Sequence, residues 1–373
     1  MQCSQTVRLC RAFLQYEPRT NPATVHQRMS ILVAILGLAL LIVLHEAGHF
    51  MVARLCGMRV ERFSIGFGKA LASFKRGDTT YQIAPIPLGG FVQITGLNPH
   101  EEYDRNDPFV YPNRPRWMRL LVLVAGPAAN YLTAFLIALV VMVGYGQPTG
   151  TTTIDEVLPG TAAQAAGLRA GDILAEINGK SVSAPSAVTQ TVRGSGGAPV
   201  TVKVMRGGSP VTVMVTPRKD PASSVYMIGV RFDMVRARGP VLSAVKESAL
   251  LPVAVATGIV TNLWDLISGR VKGGLTGPVG IAREMASAAQ QGATRFLEIV
   301  LLISVALAVF NLLPIPGLDG GRAVFLAIGA VRRRDVNPFL EAKIHMVGIM
   351  LLMGLLVVVT FGDLKPLVLK LFG

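Results

Sequence analysis

Three cysteines among 373 residues, Cys3, Cys10 and Cys56, are too few and too scattered for a disulfide framework, and none has metal-ligand spacing. Charge is also scarce. Only 16% of residues are charged against 51% hydrophobic, and mean hydropathy is +0.49. Acidic residues are the rarer sign, 22 against 36 basic, which leaves a formal net charge of +14. In a soluble chain that excess would suggest nucleic acid. No helix-turn-helix or RNA-binding signature accompanies it, and the basic residues flank apolar segments. They therefore indicate membrane topology and contact with anionic lipid, with no nucleic-acid partner.

What the chain does have is long apolar runs. One of them, Ile31 to Leu44, ends in His45-Glu46-Ala47-Gly48-His49. On a helix the i and i+4 side chains share a face, so both imidazoles of this H-E-x-x-H pattern can bind one zinc ion while Glu46 serves as base. Ionisable groups inside a membrane span are costly and default to function.

Four segments approach the ~20 residues that a bilayer about 30 Å thick requires. They are roughly Ile31–Leu55, Leu120–Gly144, Phe296–Leu313 and Ile344–Phe361. The loop after the first span holds Arg54, Arg59, Arg62, Lys69, Lys75, Arg76, Arg114, Arg116 and Arg119; the loop before the last holds Arg332, Arg333 and Arg334. The positive-inside rule assigns both loops to the cytoplasm, and the termini and the long hydrophilic region to the outside. Ala249–Trp264, interrupted by Pro252 and Gly258, reads as an interfacial amphipathic helix. An extra crossing there would carry the polar end of the third long span away from His45. Residues 1–30 form an N-terminal tail whose arginines oppose the charge rule, and Met29 is an alternative start. Cleavage of a signal peptide after the apolar run would remove the helix of the zinc motif, so none is expected.

The third span supplies a partner for the histidines. At 1.5 Å per residue His45 lies ~21 Å beyond Ile31, and Asn311 lies ~22 Å beyond Phe296. There the chain reads Asn311-Leu-Leu-Pro314-Ile-Pro316-Gly317-Leu-Asp319-Gly320-Gly321. Such broken backbone at membrane depth is tolerated where it lines a cavity. Asp319 is thereby delivered to the depth of the two imidazoles. Two histidines and a carboxylate, with a fourth position left for water, form a common catalytic zinc set.

H-E-x-x-H in the first span with N-x-x-P-x-P-x-x-D-G in the third resembles the site-2 protease family of intramembrane zinc metalloproteases, in its bacterial envelope-stress branch. Gly66-Phe67-Gly68, Ile86-Pro87-Leu88-Gly89-Gly90, Gly126-Pro127-Ala128-Ala129-Asn130 and Gly277-Pro278 extend the match. The resemblance implies that His45, His49 and Asp319 bind zinc, Glu46 is the catalytic acid/base and Asn311 binds substrate. It implies substrates that are single-span membrane proteins, of anti-sigma-factor type or remnant signal peptides, with an upstream site-1 protease making the first cut. It places the enzyme in the bacterial cytoplasmic membrane. Some members carry two tandem PDZ domains; this chain has room for one.

That one is Thr151–Asp220, where Pro159-Gly160-Thr161-Ala162-Ala163, Ala165-Ala166-Gly167-Leu168, Gly171-Asp172-Ile173-Leu174 and Ile177-Asn178-Gly179 follow the order of a bacterial PDZ domain. A hairpin is expected from Pro199–Met205 and Pro210–Thr216. Such a module either receives extended peptides or limits access by bulk. In the cytoplasmic loop, Val60–Ile65 and Thr80–Ile94 resemble the family's membrane-associated β-hairpin, whose edge would pair with unwound substrate. The fold expected is a polytopic α-helical membrane protein of about four transmembrane helices, with this hairpin and an inserted PDZ-like α/β domain. Residues 31–146 hold the first two spans, 151–220 the module, 221–292 a strand and the interfacial helix, and 293–373 the last two spans.

Overall fold

In a computed structural model of the chain, the described residues are 22–104, 106–219, 225–270 and 276–372. The apolar runs form the long helices. The first, α1 (Pro22–Leu55), has no proline beyond its first residue and ends just before Gly57, whose φ of +67° turns the chain. Four strands follow: β1 (Val60–Phe67), β2 (Ala72–Arg76), β3 (Thr79–Ile83) and β4 (Ile86–Ile94). The second long helix, α2 (Arg116–Val140), runs into a π-helical turn, Val141–Tyr145. Then come β5 (Gln147–Val157), α3 (Ala162–Ala165), β6 (Ile173–Ile177), β7 (Lys180–Ser181) and α4 (Pro185–Gly194). Strands β8 (Val200–Arg206), β9 (Ser209–Val215), β10 (Arg218–Lys219), β11 (Tyr226–Met227) and β12 (Val230–Ala237) precede the remaining helices. Those are α5 (Val241–Ile267), α6 (Pro278–Gln291), α7 (Ala293–Leu312), α8 (Asp319–Val331) and α9 (Pro338–Phe372).

The chain divides into two compact units. The first comprises the described residues up to Asn130, Thr276–Val300 and those from Asn311 onward. Its sheet has the order β2-β3-β1-β4, with β1 and β3 parallel and the other pairs antiparallel. The sequence reading expected a single hairpin here. Instead β2 and β3 make their own hairpin around Gly77, and β4 lies at the edge, paired with β1 alone among the described residues. β2 is exposed along its whole length and has no apolar alternation, so it left no period-2 signal. Val60 and Ile94 from the sheet, Ala53 from α1, Val122 from α2 and Tyr111 close a small core. At the far end of the unit, the Asp363 carboxylate accepts the backbone N–H groups of Gly277 and Gly280 at 3.3 and 2.8 Å, satisfying orphan donors at the start of α6.

The second unit comprises residues from Tyr131 to 270 and Leu301–Phe310. Its sheet runs β12-β5-β6-β8-β9, with β7 on β6. The expected hairpin is present: Arg206 pairs with Ser209 across Gly207 and Gly208, whose positive φ values suit a tight two-residue turn. Ile154, Leu174, Ile177, Val200, Val202 and Val204 fill the core beneath Val188 and Val192 of α4. The sheet does not stop at 220. β12 pairs antiparallel along β5 from Ala237↔Gln147 to Val230↔Val157, a partnership between remote segments that local pattern cannot reveal. In the same unit α5 packs through Leu251, Val255 and Ile259 around Ala134, Ala138, Leu301 and Val305, and Tyr131 donates its hydroxyl to the Pro252 carbonyl at 3.0 Å.

Five segments are long and apolar enough to cross a membrane, Met29–Leu55, Arg116–Tyr145, Val241–Ile267, Ala293–Leu312 and Pro338–Lys365, and they fit a multi-pass membrane protein. The third departs from the sequence reading. The stretch expected to be a short interfacial helix, Ala249–Trp264, belongs to a helix of 27 residues. Lys246, Glu247 and Ser248 interrupt the hydropathy there but not the helix, because Lys and Glu are good helix formers.

Asp172 ties the second sheet together. It is 1% exposed, takes the Arg206 Nε and Nη2 donors at 2.8 and 2.7 Å, and accepts the Arg169 amide at 2.9 Å. The Arg206 guanidinium holds its carboxyl below the usual carboxylate range. A depressed folded-state pKa stabilises above the unfolded value, and the gain is lost as pH falls through the folded value. Arg206→Met should therefore speed amide exchange at Leu174 and Val204 at pH 7, and the gap from the parent should narrow below about pH 4. A gap unchanged down to pH 3 would refute this coupling.

Candidate metal centre

His45 and His49 sit one turn apart on α1, each less than a tenth exposed, with ring centroids 4.8 Å apart and planes at 80°. Asp319 opens α8, directly after the proline-broken loop that follows α7. Its Oδ2 lies 3.2 Å from His45 Nε2 and 3.3 Å from His49 Nε2, and the two Nε2 atoms are 3.2 Å apart. Zinc bonds of about 2.0–2.2 Å at tetrahedral angles set ligand atoms ~3.3–3.6 Å apart. The triangle has nearly the edge length of one face of such a tetrahedron.

Proton bookkeeping points the same way. His49 Nδ1 is 2.7 Å from the Val122 carbonyl, an acceptor, so Nδ1 carries the hydrogen and Nε2 turns a lone pair inward. Asp319 Oδ2 is buried without a hydrogen-bond partner among the described residues. Lone pairs facing one another in a buried site repel, and a cation relieves that repulsion. Nitrogen and carboxylate donors in this number suit zinc.

The second helix makes the geometry possible. A side chain at Gly48 would strike the Ala125 carbonyl and Ala129, and one at Gly126 would strike both imidazole Nε2 atoms. The two glycines thus let α1 and α2 approach closely. That approach brings the Val122 carbonyl to His49 and the fully buried Asn130 amide to within 3.3 Å of His45 Nδ1. The His49 contact, a ring N–H given to a carbonyl, is of the kind that fixes the ring orientation of a metal-binding histidine; Asn130 holds His45 in the same way when its Oδ1, rather than its Nδ2, turns to Nδ1. In the sequence, Gly126 to Asn130 carry the family resemblance but no assigned task; the polar amide of Asn130 inside an apolar helix is the signal that marks them.

Glu46 is half-buried beside His45 and close to all three donors, with its carboxylate facing the Val92 amide of β4. A Cβ at Gly90, also on β4, would lie 3.4 Å from Glu46 Cγ. Asn311 occupies the last turn of α7, half-buried, and makes no hydrogen bond to the converging side chains among the described residues.

Gly126→Ala should separate the helices and empty the site, read as lost zinc content in the purified full-length protein. Asn130→Leu, which keeps the packing volume, should weaken zinc affinity about 10–100-fold in chelator competition. Unchanged zinc binding in both variants would remove α2 from the site.

The chain matches the model of Peptidase family M50 over residues 33–355. A Clostridium perfringens protein bearing a zinc-metalloprotease name is 33% identical over 340 residues, which cover 90% of this chain and 98% of that protein. The zinc metalloprotease RasP of Geobacillus kaustophilus is 29% identical over 90% of this chain and 98% of its own length. The regulator of sigma-W protease RasP of Bacillus subtilis is 27% identical over 91% and 99%. A family model covering most of the chain, relatives named for zinc proteolysis and a converging His–His–Asp group lead to one conclusion: the chain belongs to peptidase family M50 and is a zinc metalloprotease of the site-2 type.

Proposed function

We propose that His45, His49 and Asp319 are the zinc ligands of an intramembrane endopeptidase that cuts single-span membrane proteins in or near their transmembrane segment. The observation that carries this reading is the convergence of three buried donor atoms, two of them from an apolar helix, beside a sheet edge with no strand paired to it among the described residues. Bound zinc supplies Lewis acidity, polarising the scissile carbonyl and acidifying water. Glu46 takes the proton of the attacking water and returns it to the leaving amine. Asn311 contacts the substrate backbone near the developing charge.

A transmembrane substrate hides its peptide bonds in its own helix and must be unwound before it is cut. The unpaired edge of β4, next to Glu46, offers N–H and C=O groups to the freed strand. The Bacillus subtilis relative is named for the regulation of sigma-W. With the family resemblance of the sequence motifs, this supports an anti-sigma factor trimmed first by an outer-side protease as substrate, with remnant signal peptides as a second class.

The reading puts four crossings in a bacterial cytoplasmic membrane, with α5 in the interface. α1 and α7 run in the same direction, since Phe296 in the first turn of α7 meets Gly37 of α1, while Asp319, beyond the end of α7, meets His45 two turns later in α1. An odd number of crossings must then lie between them. α2 provides one. If α5 added another, α6 would have to cross too, and its 14 residues span only ~21 Å of a bilayer about 30 Å thick. The sheet of the second unit then lies outside, where its PDZ-like order suits a module that restrains access by bulk.

Glu46→Gln should abolish cleavage of a single-span substrate in detergent while zinc content stays normal, because size is kept and the base is lost. Near-normal cleavage by that variant would remove Glu46 from the role of base. Asp319→Ala should lower zinc occupancy as well as activity; normal occupancy would refute its role as ligand. Cysteines introduced near Lys180 and near Arg333 should be labelled from opposite sides of the membrane, and labelling from one side would break the four-crossing topology.

A further inference from the structure

We propose that His45 and His49 depend on a third histidine they never touch: His345 of α9 is a positioning residue that aims Asp319. The inference rests on Asp319 being a zinc ligand, and its test separates the two ideas.

Asp319 is carried by the loop Leu313–Leu318, which contains Pro314 and Pro316 and therefore lacks two of its backbone donors. Two of the remaining donors are satisfied within the loop, Ile315 by the Leu313 carbonyl at 2.7 Å and Leu318 by the Ile315 carbonyl at 3.2 Å. The Gly317 amide finds its partner outside. It donates to His345 Nδ1 at 2.8 Å, and His345 is 4% exposed. Since Nδ1 accepts, the neutral imidazole carries its proton on Nε2, which has no hydrogen-bond partner among the described residues and lies 4.0 Å from Glu341 Oε1.

The loop has little freedom to do without this bond. Gly317 has φ +101°, which an L side chain rarely adopts, and a Cβ there would press on Ile349 at 3.1 Å. One turn along α9, a Cβ at Gly348 would collide with the Pro316 carbonyl. α9 thus presses against the loop at Gly348 and grips its amide through His345, two residues before the carboxylate that meets the two imidazoles. Losing the acceptor would leave a buried N–H unsatisfied and give the loop reason to shift. A donor set this tight does not survive a small displacement of one member.

The test uses the full-length protein in detergent, loaded with cobalt(II), whose visible absorption reports coordination. His345→Phe keeps a ring without the acceptor; His345→Asn keeps an acceptor close to the position of Nδ1. The Asn variant should reproduce the parent spectrum. The Phe variant should bind cobalt about tenfold more weakly or worse, with its spectrum moved toward that of Asp319→Ala. An Asp319→Ala spectrum identical to the parent would sink the ligand assignment itself. A shifted Asp319→Ala spectrum beside an unchanged His345→Phe spectrum overturns the positioning role alone. Amide exchange of the metal-free parent gives a second measurement that needs no variant to fold: the Gly317 amide should exchange as slowly as that of Leu318. Fast exchange at Gly317 overturns the proposal whatever the yield of the variants.

Discussion

Two helices can bring their backbones together only where side chains vanish, and the catalytic half of this molecule depends on one such place. Gly48 of α1 and Gly126 of α2 remove the atoms that would hold the helices apart. Everything that orients the imidazoles follows from the resulting distance. The Val122 carbonyl reaches His49, the Asn130 amide reaches His45, and both Nε2 atoms face Asp319. With ordinary side chains at those two positions, the H-E-x-x-H pattern would still be a helix, but a helix with its histidines unsupported.

The donors themselves were legible because they break the local rules of their surroundings. Two histidines and a glutamate in an apolar run, and an aspartate after two prolines at a similar depth, are expensive placements with few structural justifications. The second layer was harder to read. Val122 contributes a backbone carbonyl, which any residue has, and His345 lies in the last helix with no motif around it. Residues that act by what surrounds them in space leave little trace in a linear pattern.

The same distinction explains the fold. Helices were visible from hydropathy, except where Lys246, Glu247 and Ser248 made α5 look shorter than it is. Strands were visible where one face is buried, as in β8 and β9, and invisible where neither is, as in β2. The union of β12 with β5 joins segments on either side of the whole module, and no local periodicity encodes such a partnership. Sheet order in the first unit, with β1 between β3 and β4, likewise had to come from space.

The separation of the donors along the chain carries a consequence for biosynthesis. Roughly 270 residues lie between His45 and Asp319, an interval of about 15–50 s at ordinary synthesis rates. Throughout that time a nascent chain has both imidazoles and the glutamate in the membrane but no carboxylate to complete the donor set. The grip of α9 on the Asp319 loop arrives later still. The three donor atoms that converge in the folded chain therefore cannot meet until Asp319 has been made, so the order of the sequence delays the assembly of the site.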